Sequence, residues 1–458
     1  MGLHKILVCM RMLTHIHAKL GDLWWYTILL FIAQRFSDVI NMFVGLWLVP
    51  KYVPMEELGA VLPITGFVGV LALPLTIAST PFLKFLTLFT EHGETGKAKS
   101  LVRDVFVGTG ILSFGTFLLA LVILPLLFER LRVASGSLGF LMVAVAILGA
   151  SATVFGDAVR GLKLYGTTVG LQFLAAPFRL LLMIVFMPFR PLSGYVVGQG
   201  AAPSIGIAGA LWRLHRYFSG CNAPRAPYWR THGTDILRYT WPFAAWTVAL
   251  SISGSLDTLV IRHRLSDYES AGYYMITRFS DIASYLGCSF AMFIFPMVAG
   301  HVKKDRKSLS VLVQSILGTF GGGLFFTMLL AWFGHGLLGL QSTWCPYQSL
   351  AGHMTLCAVI STLSAVVNCL TLFEIAQGRF RFMWYVVPVL LVKSLGLYVL
   401  EGYAFFASVL PTGCIDAIQD FNPARLDFVL QVQLIAQGMI LVCLCADVFG
   451  NKREKESV

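Results

Sequence analysis

Stretches of about 20 consecutive apolar residues recur along the whole chain, and they limit the fold more than any other feature of the sequence. Backbone polar groups find no water in the hydrocarbon core of a bilayer, so segments of this length cross it as helices. We therefore predict an all-α polytopic membrane protein. Its twelve predicted transmembrane helices are 27–49, 60–83, 105–127, 138–158, 165–189, 192–212, 239–261, 271–299, 309–333, 351–374, 383–407 and 427–448.

The placement of the basic residues predicts the orientation in the membrane. With the N-terminus in the cytoplasm, the cytoplasmic segments contain 23 of the 34 lysines and arginines, and the opposite loops contain 7. Such an excess marks the cytoplasmic side, so both termini are predicted to be cytoplasmic. The net charge of +11 follows mainly from this basic rim, which is attracted to anionic lipid headgroups. No nucleic-acid partner is expected, because no basic aromatic surface is assembled.

The two halves of the chain resemble each other. Glu56 and Gly59, after the first predicted helix, recur as Glu269 and Gly272 after the seventh, at an offset of 213 residues. Parallel repeats of this kind are related by an axis along the membrane normal, and their cargo sites lie near the midplane. We therefore expect two pseudo-symmetric six-helix lobes around a central cavity. The predicted units are a cytoplasmic segment 1–26, an N-terminal lobe 27–212, a basic linker 213–238, a C-terminal lobe 239–448 and a cytoplasmic tail 449–458.

Four basic residues lie inside predicted transmembrane helices, namely Arg35, Arg179, Arg278 and Lys393. A cation near the bilayer centre is costly, so such residues usually face a protein-lined cavity or a partner. Four of them on different helices predict a positively charged interior and an anionic cargo. The four residues are predicted to lie at successive depths across the membrane, like the rungs of a ladder. The guanidinium groups of the arginines would bind a phosphate in place of the water molecules that it loses.

Carboxylates accompany two of these arginines. The first helix has a polar stripe on one face, formed by Gln34, Asp38 and Asn41. Arg35 lies three residues before Asp38, and Arg278 lies three residues before Asp281, so each pair can form an ion pair. Two interpretations fit this pattern. The pairs are internal and aid helix packing, or they line the cavity and the arginines exchange their carboxylates for a phosphate.

The other two cations have different surroundings in the sequence. Arg179 follows Pro177, which removes a backbone donor and loosens the fifth helix locally, and we expect Arg179 to face the cavity. For Lys393, a buried pair with Glu401, two turns further on, is the alternative to a cavity position. The four cations are thus our candidate substrate-binding residues.

Coupling to a proton or sodium gradient would use intramembrane carboxylates, and the candidates are Asp257, Glu374 and Glu401. The nine cysteines are scattered without the spacing of a metal site, so no metal or other cofactor is expected. Only Cys345 and Cys414 fall in predicted external loops, where a disulfide between them is an open alternative.

Three motifs resemble those of one known family. The run DTLVIRHRLSDYESAGYYMITR, followed by FIFP, is similar to the second-half signature of polysaccharide flippases. FGDAVRGLKLYG and FEIAQGRFRF end the fourth and tenth helices in a comparable way. These flippases belong to the multidrug/oligosaccharidyl-lipid/polysaccharide exporter superfamily. The resemblance covers essentially the whole chain, and twelve helices favour its O-antigen or exopolysaccharide branch over the lipid II flippases, which usually have fourteen.

The resemblance implies a two-lobed transporter that works by alternating access in the bacterial cytoplasmic membrane. Its implied cargo is an oligosaccharide linked to a polyprenyl pyrophosphate, flipped from the inner to the outer leaflet for cell-surface polysaccharide assembly. The implied partners are this cargo and membrane lipids, and the protein is expected to be a monomer near other polysaccharide-assembly proteins. Lipid II flippases also carry arginines on the first and eighth helices.

Two other functions remain open at this stage. A multidrug exporter of the same superfamily would prefer acidic and aromatic cavity walls to four buried cations. A membrane-embedded polysaccharide polymerase or transferase would need an acid–base pair or a large external loop. The sequence offers neither, so we expect a transporter and not an enzyme.

Overall fold

The computed structural model describes residues 26, 28–131, 136–220, 229–264, 266–299, 306–377, 379–401 and 426–450, and in these ranges the regular elements are all helices. α1 spans Ile28–Tyr52, with a π-helical turn at Val44–Leu48. α2 consists of Met55–Leu71 and Leu73–Glu91, separated by Ala72. The following helices are α3 (Thr95–Leu131), α4 (Gly136–Gly161), α5 (Tyr165–Phe186) and α6 (Pro191–Phe218). The second half contains α7 (Trp229–Arg264), α8 (Asp267–Ala299), α9 (Arg306–Gly339), α10 (Ala351–Ala376), α11 (Met383–Glu401) and α12 (Leu426–Gly450), with a short 3₁₀-helix at Cys345–Leu350 before α10.

Each of the twelve predicted transmembrane helices lies on one of these helices wherever the structure describes its residues. Within the described ranges, nine helices are long and apolar enough to cross a membrane by length and composition. The prediction of an all-α polytopic membrane protein is therefore confirmed. The N-terminal segment 1–25, the tail from 451 onward and the loop 402–425 lie outside the described residues.

Several helices are longer than their apolar segments. α6 continues to Phe218 and α7 begins at Trp229, so the predicted linker 213–238 is partly helical. The last turn of α6 contains His215 and Arg216. Basic side chains stabilise the negative end of the helix dipole, which explains why the helix persists beyond its apolar segment.

The helices of each half pack mainly on one another. In the first half α4 packs against α2, α3 and α6, and α6 also packs against α5. In the second half α10 packs against α8, α9 and α12, while α11 joins α7 to α12. The main contacts between the halves are those of α2 with α7 and α8. The division into two lobes is consistent with this arrangement, and its exact boundaries remain a prediction.

The π-helical turn of α1 lies where the two lobes meet. A π turn shifts the backbone hydrogen bonds by one residue and leaves carbonyl groups available to other partners. The hydroxyl of Tyr274 donates to the Gly45 carbonyl at 3.4 Å. The indole Nε1 of Trp344 donates to the Leu46 carbonyl at 2.7 Å, and the same ring packs edge-on against Trp47. We call these contacts the outer contact, because the charge distribution predicts that this end faces away from the cytoplasm.

The start of α2 approaches α8 even more closely. The Ser270 hydroxyl donates to the Gly59 carbonyl at 3.0 Å and is buried. A Cβ atom at Gly59 would lie 2.7 Å from Ser270 Oγ and 3.1 Å from the backbone nitrogen of Ala271. No side chain fits at this position without a shift of one lobe relative to the other. The glycine singled out by the internal repeat is therefore a point of contact between the lobes.

We expect Gly59→Val to lower the thermal unfolding midpoint of the purified protein, because overpacking a close contact costs about 1–3 kcal/mol. The matched control is Gly69→Val on the same part of α2, where the side chain would meet open space. Both substitutions place the same β-branched residue in a helix, so only the contact with α8 differs between them. Equal midpoints for the two variants would contradict this packing.

Candidate functional site

Three of the four intramembrane cations gather where α1, α5 and α8 meet. They are Arg35, Arg179 and Arg278, and we call them the cation cluster. Tyr285 of α8 lies in the middle of it, since its side chain is within electrostatic range of Arg179, Arg278, Asp38 and Asp281, and its backbone carbonyl accepts a hydrogen bond from Arg35 Nη1. The structure thus brings three of the predicted residues together in one site, whereas Tyr285 was not predicted.

Arg35 connects α1 to α8. Its Nη2 lies 3.0 Å from Asp38 Oδ2, and its guanidinium lies over the Phe31 ring, 5.5 Å from the centroid. The Nη1 atom donates to the Tyr285 carbonyl in the other lobe. Asp38 is buried and also accepts a hydrogen bond from Gln34 Nε2 at 3.0 Å. The Asp38 carboxylate thus binds both Arg35 and Gln34.

Arg278 makes the corresponding connection from α8 to α1. Its Nη1 lies 3.0 Å from Asp281 Oδ2, and its guanidinium lies 5.2 Å from the centroid of the Tyr274 ring. A Cβ atom at Gly45 of α1 would lie 3.2 Å from Arg278 Cδ, so the arginine stem packs directly on that glycine. The i,i+3 ion pairs predicted for both helices are present, and each arginine also contacts the other lobe.

Arg179 differs from the other two because it has no carboxylate within ion-pair distance among the described residues. Its Nε and Nη2 atoms are buried and have no hydrogen-bond partner in the part of the chain that the structure describes. The side chains within electrostatic range are Tyr195, Tyr285 and Asp38. Nε and Nη2 lie on the same side of the planar guanidinium, where their N–H bonds form a fork that matches two oxygens of a carboxylate or phosphate. Arg179 therefore offers an unused anion-binding edge inside the membrane-spanning region.

Two further members of the site could have been found from helical spacing. Gln172 donates to Gln34 Oε1 and lies seven residues before Arg179 on α5. Tyr285 lies seven residues after Arg278 on α8. A separation of seven residues keeps side chains on one face of a helix, so both positions extend faces already marked by a charged residue. Tyr195, which comes from the glycine-rich start of α6, has no such signal. Asn41, the last predicted residue of the stripe, is half-buried on α1.

Lys393 does not belong to the cation cluster. Its Nζ lies 2.6 Å from Asp257 Oδ2, and Gln433 Nε2 donates to the same oxygen at 2.9 Å. All three residues are buried and join α7, α11 and α12 inside the C-terminal lobe. The structure thus gives Lys393 a partner other than Glu401, and the predicted ladder of four cations loses one member. The physical reason is that helix packing brings the Asp257 carboxylate directly to the ammonium group.

The other candidates for ion coupling are separated from one another. Asp257 already binds Lys393, and Glu374 is buried in α10. The side chain of Glu401, at the end of α11, lies outside the described residues. In the chain segments that the structure describes, no group of three histidines, cysteines or acidic residues is placed to hold a metal ion. Cys345 is exposed, and Cys414 lies outside the described residues, so their disulfide remains a prediction.

Comparison with known proteins identifies the fold. No protein-family model and no curated protein matches the sequence. The structure is similar to the inward-facing conformation of a multidrug resistance MATE family transporter of the MOP superfamily, with a TM-score of 0.66 and 14% identity over 91% of this chain and 96% of that one. It is similar to the lipid II flippase MurJ in an inward closed conformation, with a TM-score of 0.62 and 13% identity over 92% of this chain and 87% of that one. The MATE multidrug transporter DinF-BH, solved as a complex, gives a TM-score of 0.62 and 13% identity, covering 93% and 94% of the two chains. The fold is therefore one that MOP superfamily transporters share.

The buried pair of Lys393 and Asp257 leads to a stability prediction. Lys393→Met should destabilise the protein by about 3–5 kcal/mol, because it leaves the Asp257 carboxylate buried without its counter-charge. The double variant Lys393→Met, Asp257→Leu should recover a large part of this loss, since no unpaired charge remains. Unfolding free energies of the purified variants test both expectations. A double variant as unstable as the sum of the two single variants would show that the pair does not form.

Proposed function

We propose that this protein is a flippase that moves an oligosaccharide linked to a polyprenyl pyrophosphate from the inner to the outer leaflet of the bacterial cytoplasmic membrane. The observation that carries the proposal is the free fork of Arg179, which lies beside two further arginines in the membrane-spanning region. A buried donor without a partner costs free energy, so a site that keeps two of them needs a function for them. Binding the phosphates of a passing cargo provides that function.

The charges of the cluster suit a cargo that must be released again. Three guanidinium groups face two carboxylates, Asp38 and Asp281, so one positive charge is left over. An incoming pyrophosphate can bind Arg179 first and then compete with the two carboxylates for Arg35 and Arg278. Several binding positions of moderate affinity favour transport, because the cargo can leave one position as it binds the next. A single position of high affinity would trap the cargo.

The contacts between lobes provide the parts that alternating access would have to change. Arg35 and Arg278 each pair with a carboxylate of their own helix and contact the other lobe. If a phosphate replaced the carboxylates, both arginines would turn toward the cargo and weaken their contacts across the lobes. Binding of cargo and separation of the lobes would then be coupled through the same two side chains. The lipid chain can remain in the bilayer while the headgroup passes between the helices.

The fold comparisons support this class of function and also define its main alternative. One neighbour is a lipid II flippase, and others are multidrug transporters. A multidrug exporter for organic cations is therefore the second candidate. The surplus positive charge of the cluster favours the anionic cargo. Coupling to a proton or sodium gradient is part of the proposal, with Asp257 and Glu374 as the described candidates.

We predict that Arg179→Gln reduces flipping of a fluorescent pyrophosphate-linked oligosaccharide lipid by about 10- to 100-fold, which corresponds to the loss of a charge-assisted bond worth about 1.5–3 kcal/mol. Arg179→Lys should recover only part of the rate, because an ammonium group keeps the charge but loses the two-donor fork. The measurement uses proteoliposomes, with and without imposed proton and sodium gradients.

The control for this experiment is Arg216→Gln, which removes an exposed arginine at the end of α6 and should leave the flipping rate unchanged. Transport of a cationic dye is measured in the same vesicles. An Arg179→Gln variant that flips the lipid at the original rate would refute the role of the fork. A protein that transports the dye but flips no lipid would support the multidrug exporter instead.

A further inference from the structure

A cavity of about 260 Å³ lies inside the N-terminal lobe, between α1, α4, α5 and α6. Six of its thirteen lining residues are glycine or alanine, including Gly156 of α4 and Gly206 of α6. A Cβ atom at Gly156 would meet nothing within 4 Å, so the space beside it is open. We call this the N-lobe cavity. It is formed by helices of the N-terminal lobe alone, and it shares Arg179 with the cation cluster.

The polar groups of the N-lobe cavity include hydrogen-bond donors without partners. Arg179 lines it, and the Nε and Nη2 atoms of this residue have no hydrogen-bond partner among the described residues. Thr168 also lines it, and its buried hydroxyl has no partner among those residues either. Thr168 and Arg179 are eleven residues apart on α5, so the cavity extends about 16 Å along that helix. Unsatisfied buried donors at both ends indicate a ligand that accepts hydrogen bonds.

The charge of the lining specifies an anion. Arg160 and Arg179 are both lining residues, and none of the described lining residues is acidic. The Asp157 carboxylate lies 3.5 Å from Arg160, and the Asp38 carboxylate is within electrostatic range of Arg179. Neither Asp157 nor Asp38 lines the cavity, so the lining itself contains two cationic residues and no acidic one.

The size of the cavity limits the ligand further. Sites for drug-sized molecules have volumes of about 300–1,000 Å³, so a space of about 260 Å³ suits a small polar group and excludes a chain of several sugars. Glycine and alanine walls allow close approach of a compact tetrahedral group to the helix surfaces. One end carries Arg160 and Thr168, at the predicted cytoplasmic side, and the other end carries Arg179 of the cation cluster.

We propose that the N-lobe cavity binds a diphosphate group that enters from the cytoplasmic side, and that Arg179 passes this group from the cavity to the cation cluster. Only the assignment of the diphosphate to a lipid-linked cargo rests on the proposed function. Arg160 and Thr168 bind the group at the entrance, and the Nε–Nη2 fork of Arg179 binds it at the inner end. Because the cavity is partly open to its surroundings, the sugars and the lipid chain remain outside it while the diphosphate moves.

The test measures binding without transport. The purified full-length protein in detergent is titrated with inorganic pyrophosphate and with farnesyl pyrophosphate by isothermal titration calorimetry. Gly156→Leu fills the cavity and should weaken binding of both ligands at least tenfold. Thr168→Val keeps the volume but removes the hydroxyl, and it should weaken binding about threefold. The control Gly170→Leu, an exposed glycine of α5 where a Cβ meets open space outside the cavity, should bind both ligands as the original protein does.

The two ligands distinguish the possible sources of the diphosphate. Tighter binding of farnesyl pyrophosphate assigns the cavity to a lipid-linked headgroup, and equal binding assigns it to a free diphosphate; both results support the cavity as the site. Unchanged affinities in both Gly156→Leu and Thr168→Val would overturn the proposal. Because no flipping is measured, a protein that binds diphosphate in the cavity but flips no lipid would refute the proposed function and leave this inference standing.

Discussion

A guanidinium group inside a membrane has to find its hydrogen-bond acceptors within the protein, and this requirement organises the centre of the molecule. Arg35 of α1 binds Asp38 on its own helix and the backbone of α8. Arg278 of α8 binds Asp281 on its own helix and packs on Gly45 of α1. The two arginines thus make reciprocal contacts, each supplied by a different lobe. The contact of α1 with α8 and the charge of the site therefore depend on the same two side chains.

The sequence predicted those parts of the structure that arise from local spacing. In the described part of the chain, each of the twelve predicted transmembrane segments lies on a helix, since apolar length alone predicts such a segment. The pairs of Arg35 with Asp38 and of Arg278 with Asp281 were predicted because residues three apart are neighbours on a helix. The internal repeat singled out Gly59 as well, but it did not predict that this glycine packs against α8.

Contacts between distant parts of the chain could not be predicted in this way. Lys393 and Asp257 are 136 residues apart in sequence, and nothing in their spacing links them. By sequence alone Lys393 resembled the three arginines, but its ammonium group has a buried partner, whereas the fork of Arg179 has none within the described ranges. The N-lobe cavity was equally hidden, because it depends on which glycines of α4 and α6 face each other. Periodicity identifies the face of a helix but not the neighbour that covers it.

The outer contact has a consequence for how fast the lobes can separate. Its acceptors are the Gly45 and Leu46 carbonyls of the π turn, and both hydrogen bonds are buried. Breaking them would leave donors and acceptors without partners until water reached them, and each such group costs about 1–3 kcal/mol. The hydrogen bond from Arg35 to the Tyr285 carbonyl is only partly buried, so water reaches it more readily. If the lobes separate as the proposed function requires, a large part of the barrier to separation would therefore lie at the outer contact.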